Sequence, residues 1–322
     1  MKRILFTSCF LISFFLGWIL GGYFSVKSIS SAYPIRDEDF DHPLIKPLIG
    51  IEVGDKKDFE EYEPLLGKIQ SVINTFKRAG KILSASIYYR DMESGHWTGI
   101  EENEKYAPAS LYKVVLMIAV LKKAENEPNL LDKKILFVNS IEKEKPDHEP
   151  LQNGQYYSVR ELLEKLITFS DNDAKNLLHT VVPIDSVWNI FTDFGLTPPR
   201  IDETGDSMSA KDFSRFFRTL YSATYLNRKM SQRALEILTR TEFKNGIRDG
   251  IPESISIAHK FGYRRFDQPT SAGVTNELHD CGIVYATKKP YFLCVMTKGT
   301  NPAHLSGFIQ QVSKAVYENQ NN

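Results

Sequence analysis

Between Tyr62 and Lys77 the apolar residues Leu65, Leu66, Ile69, Val72, Ile73 and Phe76 recur at helical spacing, which predicts an amphipathic helix. Leu83 to Arg90 and His96 to Ile100 follow strand periodicity around Met92-Glu93-Ser94-Gly95, so a β-hairpin is expected there. Next, Val114, Val115, Leu116, Ile118, Ala119, Val120 and Leu121 form a stretch that is apolar nearly all round a helix. Such a helix is buried.

The stretch from Asp132 to Gln155 is charged and irregular. Ser158-Val159-Arg160-Glu161 then reads as a capping box opening a helix through Leu162, Leu163, Leu166 and Ile167. A second cap, Ser209 with Asp212, opens a helix carrying Phe213, Phe216, Phe217 and Leu220. Ile255 to Lys260, Glu277 to Ala286 and Tyr291 to Thr297 read as strands, and Ala303 to Glu318 as a closing helix. Strands thus flank both ends of the domain and helices fill its middle. That order predicts an α+β body with one antiparallel sheet built from both ends, flanked by helices, with a helical subdomain in the middle.

Ahead of this domain, Lys2 and Arg3 precede an uncharged run from Ile4 to Phe24, long enough to cross a bilayer with its positive end inside. Residues 1–27 are therefore expected to be a membrane anchor or, with Ser30-Ser31-Ala32 as a cleavage site, a signal peptide. Residues 28–58, rich in Pro, Asp, Lys and Gly, are expected to be an extracytoplasmic linker, leaving 59–322 as the catalytic domain. The 40 basic and 40 acidic residues cancel, so no global field recruits nucleic acid. The histidines are scattered singly without zinc-site spacing, so neither metal nor cofactor is expected. Cys281 and Cys294 fall in consecutive strands; they could be bonded or could be plain small hydrophobes.

Chemistry is concentrated in three short motifs: Ser110-Leu111-Tyr112-Lys113, Ser170-Asp171-Asn172 and Lys260-Phe261-Gly262. On a helix Ser110 and Lys113 share a face, which puts an amine within reach of a hydroxyl that needs a base to become a nucleophile. Partial burial of that amine favours its neutral, basic form. Each motif alone is weak. Serine, two spacers and lysine should occur about once in a chain of this length, and Ser140-Ile141-Glu142-Lys143 repeats it on charged surface. Ser170-Asp171-Asn172 alone would be a helix cap.

Taken in order, with the hairpin Ala85–Ile100 before the serine, the run through Leu178 after Ser170, and Gly246–Pro252 before Lys260, the chain resembles the penicillin-recognising serine enzymes. It is most similar to the class A β-lactamase-like family, over about residues 62–318. The resemblance implies that Ser110 is acylated, that Lys113 helps deprotonate it, and that Ser170 relays a proton to the leaving nitrogen. It further implies that Asn172 bonds the substrate amide, that Lys260 supplies positive charge to a substrate carboxylate and to Ser170, and that Gly262 lies along the substrate. The N–H groups of Ser110 and Tyr263 would make the oxyanion hole.

Two departures stand out. Phe261 occupies the place where the family carries a hydroxyl for the substrate carboxylate, a role that Arg264 or Arg265 would have to assume. The family's Arg-x-Glu-x-x-Leu-Asn loop is reduced to Arg200-Ile201-Asp202-Glu203, so Asp202 and Glu203 are the candidate deacylation bases. The expected protein is a monomeric extracytoplasmic serine hydrolase that forms an acyl-enzyme on Ser110 with β-lactams or related amides, with slow release. The alternatives are a penicillin-binding protein or D-Ala-D-Ala peptidase acting on cell-wall peptides, and a non-catalytic sensor on the same fold.

Overall fold

The computed structural model describes residues 30–36, 41–55, 62–138, 148–199, 205, 207–270, 273–287 and 289–321. The Ile4–Phe24 run, Ser140, Asp202 and Glu203 lie outside them. No helix among the described residues is long and apolar enough to cross a membrane.

A five-stranded antiparallel sheet forms the centre. Its strands are β3 (Ser84–Asp91), β4 (Trp97–Ile100), β9 (Ile257–Thr270), β10 (Gly273–Val284) and β11 (Tyr291–Gly299), in spatial order β4-β3-β11-β10-β9. The two ends of the domain therefore share one sheet, as the element order implied. Its central strands are covered on both faces, so β3 and β11 are buried almost throughout instead of alternating between buried and exposed positions.

Helix α1 (Glu63–Arg78) turns Leu65, Ile69 and Ile73 onto one face of the sheet, where the closing helix α8 (Pro302–Asn321) contributes Leu305, Phe308, Ile309 and Val312. The opposite face carries the helical body: α2 (Tyr112–Asn126), α3 (Val159–Thr168), α4 (Asn172–His179), α5 (Ile184–Asp193), α6 (Ala210–Tyr221) and α7 (Arg228–Thr239). α2 is its axis. From Lys113 through Leu121 every side chain is buried, and truncating one of these large apolar groups to alanine would cost about 2–5 kcal/mol.

The capping boxes are present at both expected starts. Ser158 Oγ accepts from the Glu161 N–H and Ser209 Oγ from the Asp212 N–H, while each acidic side chain accepts from the N–H of its capping serine. Helices α5 and α7 were not anticipated. The polar run Arg228-Lys229 that opens α7 hides its period, although Asn227 caps it by accepting from the Met230 N–H.

The segment expected to be a plain linker contains more structure than its composition suggests. Ser30–Arg36 (β1) pairs antiparallel with Leu48–Asp55 (β2). Between them Ile45 is buried in the helical core, Lys46 N–H donates to the Tyr221 carbonyl at 2.8 Å, and Leu44 N–H donates to Gln232 Oε1 at 2.9 Å. Leu44 and Ile45 are the apolar pair in an otherwise polar stretch, and their burial docks its middle. Two short pairings complete the body: β5 (Lys105–Tyr106) with β8 (Met208–Ser209), and β6 (Lys134–Leu136) with β7 (Tyr156–Ser158), of which β6 falls inside the stretch read as irregular and β7 just after it.

Candidate active site

Ser110 lies in a 3₁₀ turn, Ala109–Leu111, that runs directly into α2. Ala109 has φ +45°, and Ser170 has φ +61°. Non-glycine residues rarely adopt this left-handed region, and where they do the surrounding structure must hold them. Only Glu101 and Ala223 share it among the described non-glycine residues, so of these four positions one lies in a candidate catalytic motif and another immediately before one.

Lys113 enters α2 one turn after Ser110 and is 2% exposed. Its Nζ donates to Ser170 Oγ at 3.0 Å, to Asn172 Oδ1 at 2.7 Å, and to the Ser170 carbonyl. The first two motifs are thus joined through one amine. Ser110, Ser170 and Asn172 are half-buried, as groups facing a cleft should be.

The Ser170 loop is fixed from behind by Asp171. This residue caps α4 through Oδ1, which accepts the Ala174 N–H at 2.8 Å, while Oδ2 meets His148 Nε2 at 3.0 Å. The His148 ring stacks on Phe169 at 4.7 Å. The helix-cap reading of this motif is therefore correct for Asp171, which leaves Ser170 and Asn172 to face Lys113.

The third motif reaches the nucleophile through its glycine. A Cβ on Gly262 would stand 2.9 Å from the Pro108 carbonyl oxygen and 3.3 Å from the Leu111 N atom, so only glycine lets β9 lie against the Ser110 turn. β9 is an edge strand. Tyr263 follows it, 42% exposed, with its hydroxyl donating to Asn276 Oδ1 at 2.8 Å.

Lys260 is the residue expected to supply positive charge. It is fully buried, and its Nζ has no hydrogen-bond partner among the described residues. Burial holds its pKa well below the ordinary value, the nearby Lys113 charge adds to this, and Asp280 pulls weakly the other way. Burial of this kind disfavours the charged form of an amine. Phe261 lies beside it, the ring centroid 4.1 Å from Nζ. Of the two suggested arginines, Arg264 lies with its guanidinium 4.6 Å over the Phe266 ring and beside Gly205, and Arg265 is exposed.

One part of the site escaped sequence reasoning. Ala107, just before the nucleophile turn, is held at both of its backbone polar groups. Its N–H donates to Glu277 Oε2 at 3.2 Å and its carbonyl accepts from His279 Nε2 at 3.0 Å. The Thr297 N–H donates to His279 Nδ1 at 3.2 Å, which assigns the proton to Nε2. Glu277 also faces Lys298 at 2.9 Å. Burial pushes the Glu277 carboxyl up, but His279 and Lys298 outweigh it and the net direction is down. The signal was available: Asn276-Glu277-Leu278-His279-Asp280 is a polar run inside a buried strand, and buried polar groups must be paired.

Cys281 and Cys294, opposite one another on β10 and β11, are disulfide-bonded. Cys281 also faces Lys260 across β9. Among the described residues no group of His, Cys, Asp and Glu side chains could hold a metal ion.

Comparison with known proteins identifies the family and the fold. The family model described as "Beta-lactamase enzyme family" matches residues 65–320. The chain is 26% identical over 211 residues to a β-lactamase of Streptomyces albus G, 59% of this chain and 67% of that protein. It is 35% identical to β-lactamase L2 of Stenotrophomonas maltophilia over 95 residues, 29% of this chain and only 30% of that protein's length. Among solved structures, a class A β-lactamase from Mycobacterium abscessus superposes with a TM-score of 0.68 at 20% identity, covering 79% of this chain and 100% of the other. PBP-A, in a variant solved as an acyl-enzyme complex with penicillin G, superposes with a TM-score of 0.65 at 21% identity over 79% and 96% of the two chains.

Proposed function

Since the chain belongs to the β-lactamase enzyme family, whose members are serine hydrolases, we propose that it forms an acyl-enzyme on Ser110 with β-lactams or related amides and releases it slowly. The observation that carries this reading is the single amine of Lys113 bonded at once to Ser170 and Asn172, one turn after Ser110. In the proposed reaction Lys113, once it has lost a proton and given up one of its three donations, takes the hydroxyl proton on its lone pair as Ser110 Oγ attacks the amide carbonyl carbon. The carbon–nitrogen bond then breaks, Ser170 Oγ gives its proton to the leaving nitrogen, and Lys113 restores the Ser170 proton across their 3.0 Å contact. Water later releases the acyl group as an acid and returns Ser110 to its hydroxyl form. Backbone N–H groups of Ser110 and Tyr263 stabilise the oxyanion.

Slow release follows from the reduced acidic loop, in which Asp202 and Glu203 are the candidate bases. A resting acyl-enzyme is also the hallmark of a penicillin-binding protein acting on cell-wall peptides, and the similarity to PBP-A with bound penicillin G favours keeping that as the second reading. The disulfide supports a domain placed outside the cytoplasm, where such bonds persist; anchoring or secretion through residues 1–27 completes the proposal. Its test is to mix the protein with a chromogenic cephalosporin and a fluorescent penicillin and compare burst with steady state. A burst equal to the enzyme concentration with slow turnover is the expected result; rapid turnover without accumulation would point to an efficient β-lactamase, and no label to a non-catalytic module.

A further inference from the structure

The Ser170 turn is held from a segment, residues 148–155, that takes no part in the proposed reaction. His148 Nε2 meets Asp171 Oδ2 at 3.0 Å, its ring lies 8° from parallel with that of Phe169, and the Glu149 carbonyl accepts from Lys165 Nζ at 3.0 Å. Further along, Leu151 is buried in the helical core, and Gly154 and Gln155 bond Phe137 through their backbones. The segment is therefore seated along its length, and His148 is its contact with the second motif.

Asp171 stands between the two residues that accept from Lys113. It is 4% exposed, its Oδ1 is taken by the Ala174 N–H, and among the described residues its Oδ2 is met by His148. Without that donor the buried oxygen would have to turn toward water, and the side chain that turns is the cap of α4. Ser170 would loosen with it, because a φ of +61° persists only where the surroundings enforce it. We propose that His148 is a positioning residue for acylation: through Asp171 it fixes Ser170 and Asn172 against Lys113, and it does so more firmly as imidazolium than as imidazole. A bond from imidazolium to carboxylate has charge on both partners, and such charge-assisted bonds are roughly twice as strong as neutral ones. Histidine is the side chain that exchanges these forms near neutral pH. The other charged groups around it are Glu149 on its own segment, Asp173 in the first turn of α4, Lys165 of α3, whose Nζ lies 5.8 Å from the Phe169 ring centroid, and Lys113 of α2. Variants of His148 share all of these, so a difference between variants belongs to the imidazole. The proposal rests on Ser110 being the acylated residue.

The test follows acylation of the full chain by a fluorescent penicillin between about pH 5 and about pH 8, with mass spectrometry locating the adduct. His148→Gln keeps a neutral donor that does not titrate. It should react within about twofold of native at the alkaline end and fall at least about fivefold behind at the acid end. His148→Phe keeps a ring for Phe169 and offers no donor, so it should lag about tenfold or more at both ends. Either comparison decides if the other variant does not fold. A native-to-glutamine ratio that stays constant with pH, or a phenylalanine variant as fast as native, would overturn the positioning role while leaving the acyl-enzyme intact. Absence of any adduct on Ser110 in the native protein would overturn the acyl-enzyme reading and this inference with it.

Discussion

Lys113 and Lys260 are two buried lysines close enough for each to feel the other's charge, yet the structure treats them in opposite ways. Lys113 has its hydrogen-bonding capacity met by Ser170 and Asn172. Lys260 meets an aromatic ring and no acceptor. Burial by itself therefore does not assign a lysine its role. A partnered amine is held in one geometry and can pass protons along its bonds; an unpartnered one in the same low dielectric is driven toward neutrality.

The largest effect that tests this contrast is on acylation. Ser110→Ala should abolish labelling, and Lys113→Ala should slow it by about 10²–10⁴-fold, the usual worth of a positioned base. Burst rates with a fluorescent penicillin check both. An adduct found at Ser140 would break the comparison at its root, because that serine has the same spacing to a lysine without the buried helix.

Stability should separate the two amines by sign. Lys113→Met leaves the Ser170 carbonyl and Asn172 Oδ1 without their donor and should destabilise by about 1–3 kcal/mol. Lys260→Met removes a buried amine that bonds nothing and should be neutral to stabilising, up to about 4 kcal/mol. The pH dependence carries the same sign. The folded pKa of Lys260 lies below its ordinary value of 10.5, so the unfolded chain binds the proton more tightly, and the penalty is fully present below the folded pKa. It disappears as pH rises to 10.5, so the advantage of Lys260→Met in thermal unfolding should shrink over that climb. An advantage that grows with pH would mean that Lys260 is paired and charged after all.

The clamp on Ala107 gives a smaller effect. Glu277→Ala orphans the Ala107 N–H and should cost about 1–3 kcal/mol, with acylation slowed because the nucleophile turn is no longer fixed. Glu277→Gln keeps an acceptor and should recover most of the acylation rate. Equal loss of rate in the two variants would show that charge, not positioning, is what this residue supplies. Smallest of all, Asp202→Asn and Glu203→Gln should leave acylation unchanged, with at most one of them slowing release. A hundredfold fall in cephalosporin turnover from either would show a working base in that loop.

What could be read in advance followed from local rules. The apolar circumference of α2 announced its burial, the boxes at Ser158 and Ser209 announced two helix starts, and the order of strands and helices announced one sheet drawn from both ends. Three ordered motifs singled out Lys113, Ser170 and Asn172, which the fold brings together, and Ser110, one turn before Lys113 on the chain. The rest depended on contacts that run between distant segments. Glu277 and His279 reach Ala107 across about 170 positions, and Phe243 reaches Phe261 only because Thr241 and Glu242 are tied to different elements. The neutral tendency of Lys260 is likewise invisible until the surrounding side chains close over it. Helix α7 was hidden for the opposite reason, since its solvent side is so polar that the period drowns.

The open flank of β9 has a consequence for the protein as a colloid. The strand runs from Ile257 to Thr270 at the margin of the sheet, and beyond the His259 carbonyl, which Thr241 occupies, its outward backbone edge is what an incoming molecule would need to lie along. They are equally a template for the strand of another copy. Covering the flank would end the hazard and would close the cleft as well. The sequence instead places Arg264 and Arg265 in succession on this strand, with Pro269 near its tip: adjacent like charges and a residue without an N–H are the standard obstacles to edge-to-edge association. Neutralising the two arginines should therefore appear first as turbidity at high concentration, before any change in the chemistry at Ser110.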